Sequence, residues 1–293
     1  MRLTVVETSP RLPRGLLDRA GWQAVEAAEQ VVALDAGTAE ALRVQGIEVS
    51  LVAGLDEVST DGSVVVVADS ATVEQLRPRV PASATTWLAP PPEPPGARLL
   101  DLVGVMDRLR TECPWDREQT HLSLVRYLLE ETYETIEALE SGDRDHLREE
   151  LGDLLLQVVF HARIAAEQPD GFDVDDVAGG IADKLVYRHP HVFAGLEVAD
   201  ADEVDRNWET LKAAEKQRSS PVEGIPPGLP ALAWADKVVG RLVKAGVDVP
   251  SYVSGAGVGA RLLALVLEAR AVGLDPEQEL RGETRRLISG ASG

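Results

Sequence analysis

Residues 129–160, LEETYETIEALESGDRDHLREELGDLLLQVVF, decide the architecture of this chain because they read as two helices joined by a tight turn. Ser141-Gly142-Asp143 is the turn signal between them. Helical spacing of apolar residues extends the two segments to His121–Glu140 and Asp145–Glu167. Two long helices with so short a connection predict an antiparallel helical hairpin.

Five carboxylates lie on this hairpin at helical spacing: Glu130, Glu131, Glu134, Glu150 and Asp153. Side chains three or four residues apart share a helix face. The two groups lie about ten residues before and about nine residues after the turn, so at ~1.5 Å per residue both lie roughly 14–15 Å from it. Carboxylates at one level repel unless a cation lies between them, and hard divalent cations prefer oxygen ligands. The hairpin therefore predicts a Mg²⁺ site, with Mn²⁺ as a substitute.

Asp153 carries most of this interpretation because it interrupts the apolar run Leu151–Phe160. A carboxylate that faces an apolar core costs several kcal/mol unless it is paired or bound to metal. The pattern Glu-Glu-x-x-Glu by itself is common on solvated helix faces, and Glu137, Glu140 and Glu149 are expected to be surface residues. The matched acids on the second helix, including Asp153, favour the metal site.

Cations and aromatic residues follow at similar spacing. Lys184 and Arg188 are four residues apart, as are Trp208 and Lys212. A triphosphate needs cationic partners beyond its metal, and a base needs a flat partner. The simpler interpretation is a solvated face with Trp208 in the core, and Trp115 either shapes a structural loop or caps a base. The spacing alone leaves both interpretations open.

Four motifs in order resemble the MazG nucleoside triphosphate pyrophosphohydrolases. They are Cys113-Pro-Trp-Asp-x-x-Gln-Thr120, Leu129-Glu-Glu-Thr-Tyr-Glu134, Glu150-Leu-Gly-Asp153 and Arg188-His-Pro-His-Val-Phe193. The resemblance covers roughly Arg98 to Lys216. It implies an all-α bundle that forms a homodimer. It also implies hydrolysis of nucleoside triphosphates between the α and β phosphates, giving a nucleoside monophosphate and pyrophosphate, as in housecleaning of the nucleotide pool.

The resemblance also implies a role for each motif residue. The implied magnesium ligands are Glu131, Glu134, Glu150 and Asp153. Glu130 is implied to orient or activate water, which makes Glu130 and Glu131 the expected catalytic pair. The implied nucleotide contacts are Lys184, Arg188, Trp208 and Lys212, to which Trp115 is added as an expected base contact.

Three domains and one linker are expected along the chain, and the predicted fold class is a mainly α protein with a small α/β domain at its N-terminus. The predicted parts are an α/β domain at 1–90, a proline-rich linker at 91–97, a catalytic domain at 98–218 and a shortened second repeat at 226–293. In the first part we expect strands at Leu3–Val6, Glu48–Val52 and Ser63–Val67 and helices at Leu16–Gln30 and Thr38–Gln45. Its residues 12–20 and 28–32 resemble the opening of a tetrapyrrole methylase-like domain, but the glycine-rich methyl-donor loop is absent.

The tail contains an internal repeat of the second hairpin helix. A shift of 107 residues superimposes six identical residues, among them Gly152 on Gly259 and Val159 on Val266. Under the same shift Glu150 falls on Gly257 and Asp153 on Ala260. We therefore predict that the tail is a second MazG-like repeat without its metal ligands, and that it serves packing or dimerisation.

Composition excludes several classes of protein. The 293 residues carry a formal net charge of −20, which argues against a broad nucleic-acid surface. The single cysteine, Cys113, permits no intrachain disulfide and suits a reducing compartment. The sequence shows no signal peptide and no apolar run of transmembrane length. We therefore expect a cytoplasmic protein with neither a nucleic-acid nor a membrane partner.

Other functions remain as alternatives to a general triphosphate hydrolase. A nucleotide sensor or scaffold would bind without turnover, although all five acids are present. A narrower dNTP or phosphoribosyl-ATP pyrophosphohydrolase would share the same acidic hairpin. A di-iron bundle needs paired Glu-x-x-His motifs, whereas Glu118-x-x-His121 occurs once and outside the cluster.

Overall fold

The structure, a computed structural model, describes residues 2–58, 62–216, 219–253, 255 and 257–291. The chain divides into two compact units, residues 1–180 and 181–293. Residues 217–218 and 292–293, at the ends of two predicted domains, lie outside the described residues, and the division into three domains and a linker remains a prediction. Over the described ranges, no helix combines the length and the apolarity that crossing a membrane requires.

The first unit begins with a parallel five-stranded sheet, as the α/β prediction for this part requires. Its strands are β1 Arg2–Thr8, β2 Gln30–Ala33, β3 Val49–Leu51, β4 Ser63–Asp69 and β5 Thr85–Leu88, in the order β3-β2-β4-β1-β5. Valines from the central strands are buried on both faces, which is typical of a parallel sheet covered by helices. The helices are α1 Arg19–Ala27, α2 Ala36–Val44 and α3 Ser70–Leu76. An aspartate caps each of them by accepting a backbone N–H: Asp18, Asp35 and Asp69.

Two details of the predicted α/β part are wrong. The helix expected over Leu16–Gln30 ends at Ala27, and Gln30 begins β2. The strands β2 and β5 and the helix α3 were not predicted. A short apolar run such as Val31-Val-Ala33 fits helix and strand spacing equally well, so only pairing with β3 and β4 decides it.

The rest of the first unit is helical. Its helices are α4 Arg98–Glu112, α5 Pro114–Glu118, α6 His121–Ser141 and α7 Arg144–Ala165, followed by α8 Val174–Arg188, which continues into the second unit. The helices α4, α6 and α7 bury a common core of Met106, Leu124, Val159, Phe160 and Ile164. The predicted hairpin is confirmed, and Gly142 ends α6 with a left-handed φ of 74°.

Arg110 ties three parts of this unit together. Its Nε and Nη2 donate to the two carboxylate oxygens of Glu167 at 2.7 and 2.9 Å, just beyond the end of α7. Its Nη1 donates to the backbone carbonyls of Asp116 and Gln119, which flank the end of α5. The side chain is nearly buried, and the Arg110 guanidinium lowers the pKa of Glu167. This one residue therefore fixes the segment that carries Trp115.

Substituting Arg110 by Leu is expected to destabilise the fold by roughly 2–3 kcal/mol. That is less than the 3–5 kcal/mol typical of a fully buried pair, because Glu167 is partly exposed and keeps its bond to Arg163. Urea unfolding followed by circular dichroism measures the change. The matched control is Arg108→Leu, which breaks an exposed pair with Glu112 and should stay within about 1 kcal/mol of the parent. Equal stabilities of the two variants would contradict the anchoring role.

The described residues of the second unit contain the end of α8 and five further α-helices. They are α9 Pro190–Phe193, α10 Ala201–Lys216, α11 Ala231–Lys244, α12 Val258–Ala271 and α13 Pro276–Ala291. Val239, Val249 and Val266 form the centre of its core.

Arg270 on α12 pairs with Asp236 on α11 at 2.7 Å. In the first unit Arg163, the residue that the repeat superimposes on Arg270, pairs with Asp107 on α4 at 2.8 Å. Val159 and Val266, which the repeat also superimposes, are both buried. Under the same shift Asp236 falls on Leu129 and not on Asp107, so the two ion pairs share only the position of the arginine, and the second repeat remains a prediction.

Candidate active site

Three of the five predicted acids come together between α6 and α7. One carboxylate oxygen each from Glu131, Glu150 and Asp153 lies within 4.8 Å of the other two. Glu131 and Asp153 are half-buried, whereas Glu150 is only 7% exposed. We call these three residues the acid cluster. In this antiparallel hairpin, residues of α6 and α7 that are a similar number of residues from Gly142 lie opposite each other.

Glu130 and Glu134 are exposed on α6 and lie outside the acid cluster. They still act on it electrostatically. Burial raises the pKa of Glu131 above its usual value, and the carboxylates of Asp153, Glu134, Glu150 and Glu130 raise it further, in that order. All five predicted acids therefore contribute to one negative field around Glu131.

Glu150 gives the strongest indication that the acid cluster binds a cation. Its Oε1 lies 3.1 Å from Nε2 of His146, one turn earlier on α7. Its Oε2 is buried and has no hydrogen-bond partner among the described residues. A buried carboxylate oxygen without a donor is costly, and three converging carboxylates are the oxygen-rich environment that Mg²⁺ binds. The donor set therefore fits a hard divalent cation.

The acid that the structure buries on α7 is not the one that the sequence indicated. Asp153 was expected to face the apolar core, but it is half-buried, and the flanking Leu151 and Leu155 are themselves exposed. Glu150 is the acid on the buried face of α7, which it shares with Gln157 seven residues later. Apolar neighbours in sequence indicated a buried helix without indicating which of its faces is buried.

Trp115 lies on α5 and is 49% exposed. Its ring makes edge contacts with Tyr127 and Phe160, with centroids 5.9 and 6.4 Å away. One part of the indole is thus packed and the rest is accessible. Both interpretations from the sequence, a structural loop and a stacking surface for a base, are compatible with this position.

The predicted nucleotide contacts lie in the second unit. Arg188, buried at the end of α8, binds the Glu215 carboxylate, and its guanidinium carbon lies 5.2 Å from the centre of the Trp208 ring. Lys212 places its Nζ 4.2 Å from the centre of the same ring. The structure therefore places Arg188 and Lys212 beside the indole of Trp208. Lys184 is exposed one turn before Arg188.

One histidine pair on the hairpin was missed in the sequence. His121 and His161 stack with ring centroids 5.1 Å apart, and their Nδ1 atoms are 2.8 Å from each other. Burial and the nearby His121 lower the pKa of His161. The sequence indicates this pairing, because the two histidines lie about equally far from Gly142 on either side of the turn.

Comparisons with known proteins identify a family for the part of the chain that contains the acid cluster. A model of the family described as the MazG nucleotide pyrophosphohydrolase domain matches residues 119–193. That stretch contains the five acids together with Lys184 and Arg188.

Three relatives show the extent of the similarity. An uncharacterized 26.1 kDa protein of Streptomyces cacaoi is 54% identical over 189 residues, which are 64% of this chain and 78% of that protein. A nucleoside triphosphate pyrophosphohydrolase of Mycolicibacterium smegmatis is 48% identical over 192 residues, 63% of this chain and 59% of its own length. A Thermotoga maritima protein named nucleoside triphosphate pyrophosphohydrolase/pyrophosphatase MazG is 37% identical over 216 residues, 64% of this chain and 82% of that protein. This chain therefore spans most of the Thermotoga relative and somewhat more than half of the mycobacterial one.

Proposed function

Because this chain belongs to the MazG nucleotide pyrophosphohydrolase family, we propose that it hydrolyses nucleoside triphosphates between the α and β phosphates. The products are a nucleoside monophosphate and pyrophosphate, and the reaction depends on Mg²⁺. The observation that carries this proposal is the acid cluster, with three carboxylate oxygens within 4.8 Å of one another and a buried Glu150 oxygen that has no donor among the described residues.

The acid cluster has the composition that binding of a hard cation requires. Glu131, Glu150 and Asp153 would hold Mg²⁺, or Mn²⁺ in its place, and Glu134 on the exposed side of α6 would complete the set. A bound Mg²⁺ neutralises phosphate charge and polarises the α-phosphorus. Without a cation the five carboxylates would repel a triphosphate, so the protein is expected to bind its substrate as the metal complex.

The remaining roles fall to side chains of the chain itself. Glu130, exposed beside Glu131, accepts a proton from the attacking water. The water oxygen bonds to the α-phosphorus while the bond from that phosphorus to the bridging oxygen breaks, and pyrophosphate leaves with the electron pair. Lys184, Arg188 and Lys212 balance charge on the phosphate oxygens.

Aromatic rings supply the contacts to the base. Trp208 is flanked by Arg188 and Lys212, and Trp115 exposes half of its surface. Base–aromatic stacking is tolerant of base identity because every base has a π face. This tolerance fits a housecleaning enzyme that acts on several nucleotides.

The proposed homodimer is supported by apolar side chains left exposed along the hairpin. They are Leu122, Val125 and Leu129 on α6 and Leu151, Leu155 and Val158 on α7. Exposed apolar side chains in this number on two packed helices favour an interaction site. Light scattering after size-exclusion chromatography should give twice the mass of 31.5 kDa.

A product assay tests the proposed function. The full chain is incubated with Mg²⁺ and a panel of NTPs, dNTPs and phosphoribosyl-ATP, and the products are separated by anion exchange. We expect monophosphate and pyrophosphate in equal amounts from several nucleotides. Turnover of dNTPs or phosphoribosyl-ATP alone would replace the broad activity with a narrower one. Diphosphate plus phosphate, or binding without turnover, would contradict the proposal.

A further inference from the structure

A second charged site lies in the second unit, along α11. It is a cavity of about 510 Å³. Its cationic lining residues are Lys212, Lys237, Arg241, Lys244 and Arg270. Asp236 is the one carboxylate among the described residues that line it. The lining of this cavity is therefore positively charged, whereas the whole chain has a net charge of −20.

The cations of α11 share one helix face. Lys237, Arg241 and Lys244 follow one another at spacings of four and three residues, which places neighbouring side chains on the same side. Like charges at these spacings destabilise an isolated helix. An anion bound against this face would relieve that repulsion.

Arg270 reaches this face from α12 because Gly240 leaves room for it. A Cβ added at Gly240 would lie 2.5 Å from Nη2 of Arg270, so a larger residue there would displace the guanidinium. Asp236 fixes the same guanidinium through a 2.7 Å contact to its Nη1. The position of Arg270 is thus set by α11.

Arg241 fixes the opposite side of the cavity. Its Nη1 donates to the backbone carbonyls of Glu223 at 2.6 Å and Pro221 at 3.3 Å, which holds the linker before α11 against the helix. A guanidinium has five N–H donors, and these two bonds use only those of Nη1. The N–H groups of Nε and Nη2 can therefore donate to a further oxygen. The cavity is therefore ordered by bonds to the backbone and not only by mobile lysines.

We propose that this cavity binds the phosphate groups of a small phosphorylated molecule, without a divalent metal. Its volume lies in the range of roughly 300–1,000 Å³ that small-molecule sites occupy. Lysine and arginine side chains recognise phosphate directly. A long nucleic acid would also meet the acidic remainder of the surface, whereas a small anion inside the cavity is screened from charges beyond about 8 Å. The inference does not depend on the proposed hydrolysis, because no residue of the acid cluster lines the cavity, and Lys212, the lining residue that it shares with the proposed nucleotide contacts, stays unchanged in the test.

Calorimetric titration of the full chain in EDTA tests this proposal, with inorganic pyrophosphate and ATP as probes. The test variant is Lys237→Ala/Lys244→Ala, and both lysines are exposed, so their loss leaves the core intact. The control is Arg79→Ala/Arg261→Ala, which removes the same charge from exposed positions outside the cavity. Lys212 stays unchanged because it is also a proposed nucleotide contact.

We expect both probes to bind the parent chain and the control with the same affinity within twofold. The cavity variant should bind both probes at least tenfold more weakly, with an unchanged circular dichroism spectrum. Lys237→Glu should weaken pyrophosphate binding similarly, as a single-site check. Three results would overturn the proposal: no binding of pyrophosphate to the parent, binding of ATP alone, or equal affinity of the parent and the cavity variant.

Discussion

Asp153→Asn is expected to lower kcat for triphosphate hydrolysis by about 10³-fold at saturating Mg²⁺. The asparagine keeps the size of the side chain but removes one of the three converging carboxylates. Loss of a charged metal ligand costs several kcal/mol of transition-state stabilisation, and each 1.36 kcal/mol is about tenfold in rate. Initial rates of pyrophosphate release measure the effect.

Glu149→Gln is the matched control for Asp153→Asn. Glu149 lies on the same helix, is exposed and is adjacent to Glu150, so its replacement removes the same charge without touching the acid cluster. Its kcat should stay within a factor of two of the parent. An Asp153→Asn variant with a rate near that of this control would show that Asp153 is not a ligand.

Glu150→Gln is expected to change stability in opposite directions with and without metal. In EDTA the variant should be more stable than the parent by about 1–3 kcal/mol, because the substitution removes a buried charge whose Oε2 has no donor among the described residues. The new amide can donate to the carboxylates of Glu131 and Asp153, which lie within the same cluster. With Mg²⁺ present the parent should gain about 2.7 kcal/mol at a hundredfold excess over its Kd, and the variant should gain little.

Urea unfolding in EDTA and in Mg²⁺ measures both effects on the same protein. Glu149→Gln again serves as the control, and its unfolding free energy should stay within about 0.5 kcal/mol of the parent under both conditions. If Glu150→Gln destabilised the metal-free protein, Glu150 would be a structural residue held by His146. If the variant kept the full magnesium effect, the acid cluster would not be the metal site.

Most of the helical hairpin was predictable from the sequence because local rules determine it. A left-handed glycine at Gly142 and an aspartate cap at Asp143 mark the turn, and equal distances from that turn bring residues on the two helices together. The same rule brings Glu131 level with Glu150 and Asp153. Which of these acids is most buried was not predictable, because burial depends on how α6 and α7 pack against each other, as where Thr135 contacts the Glu150 carbonyl.

Tertiary contacts also explain the failures elsewhere. The strand β2 follows α1 after only two residues, and its sequence becomes a strand because β3 and β4 lie on either side of it. In the second unit, spacing paired Trp208 with Lys212. It gave no indication that Glu215 holds Arg188, since the two are 27 residues apart. The cationic cavity likewise depends on Arg270 crossing to α11 from α12.

The position of bond cleavage tests the central claim most directly. Hydrolysis of a triphosphate by the full chain with Mg²⁺ in ¹⁸O-labelled water, analysed by mass spectrometry, shows which phosphorus the water attacks. We expect one ¹⁸O atom in the nucleoside monophosphate and none in pyrophosphate, with no labelled product from Asp153→Asn on the same timescale. Label in pyrophosphate, or in inorganic phosphate released beside a nucleoside diphosphate, would contradict the account.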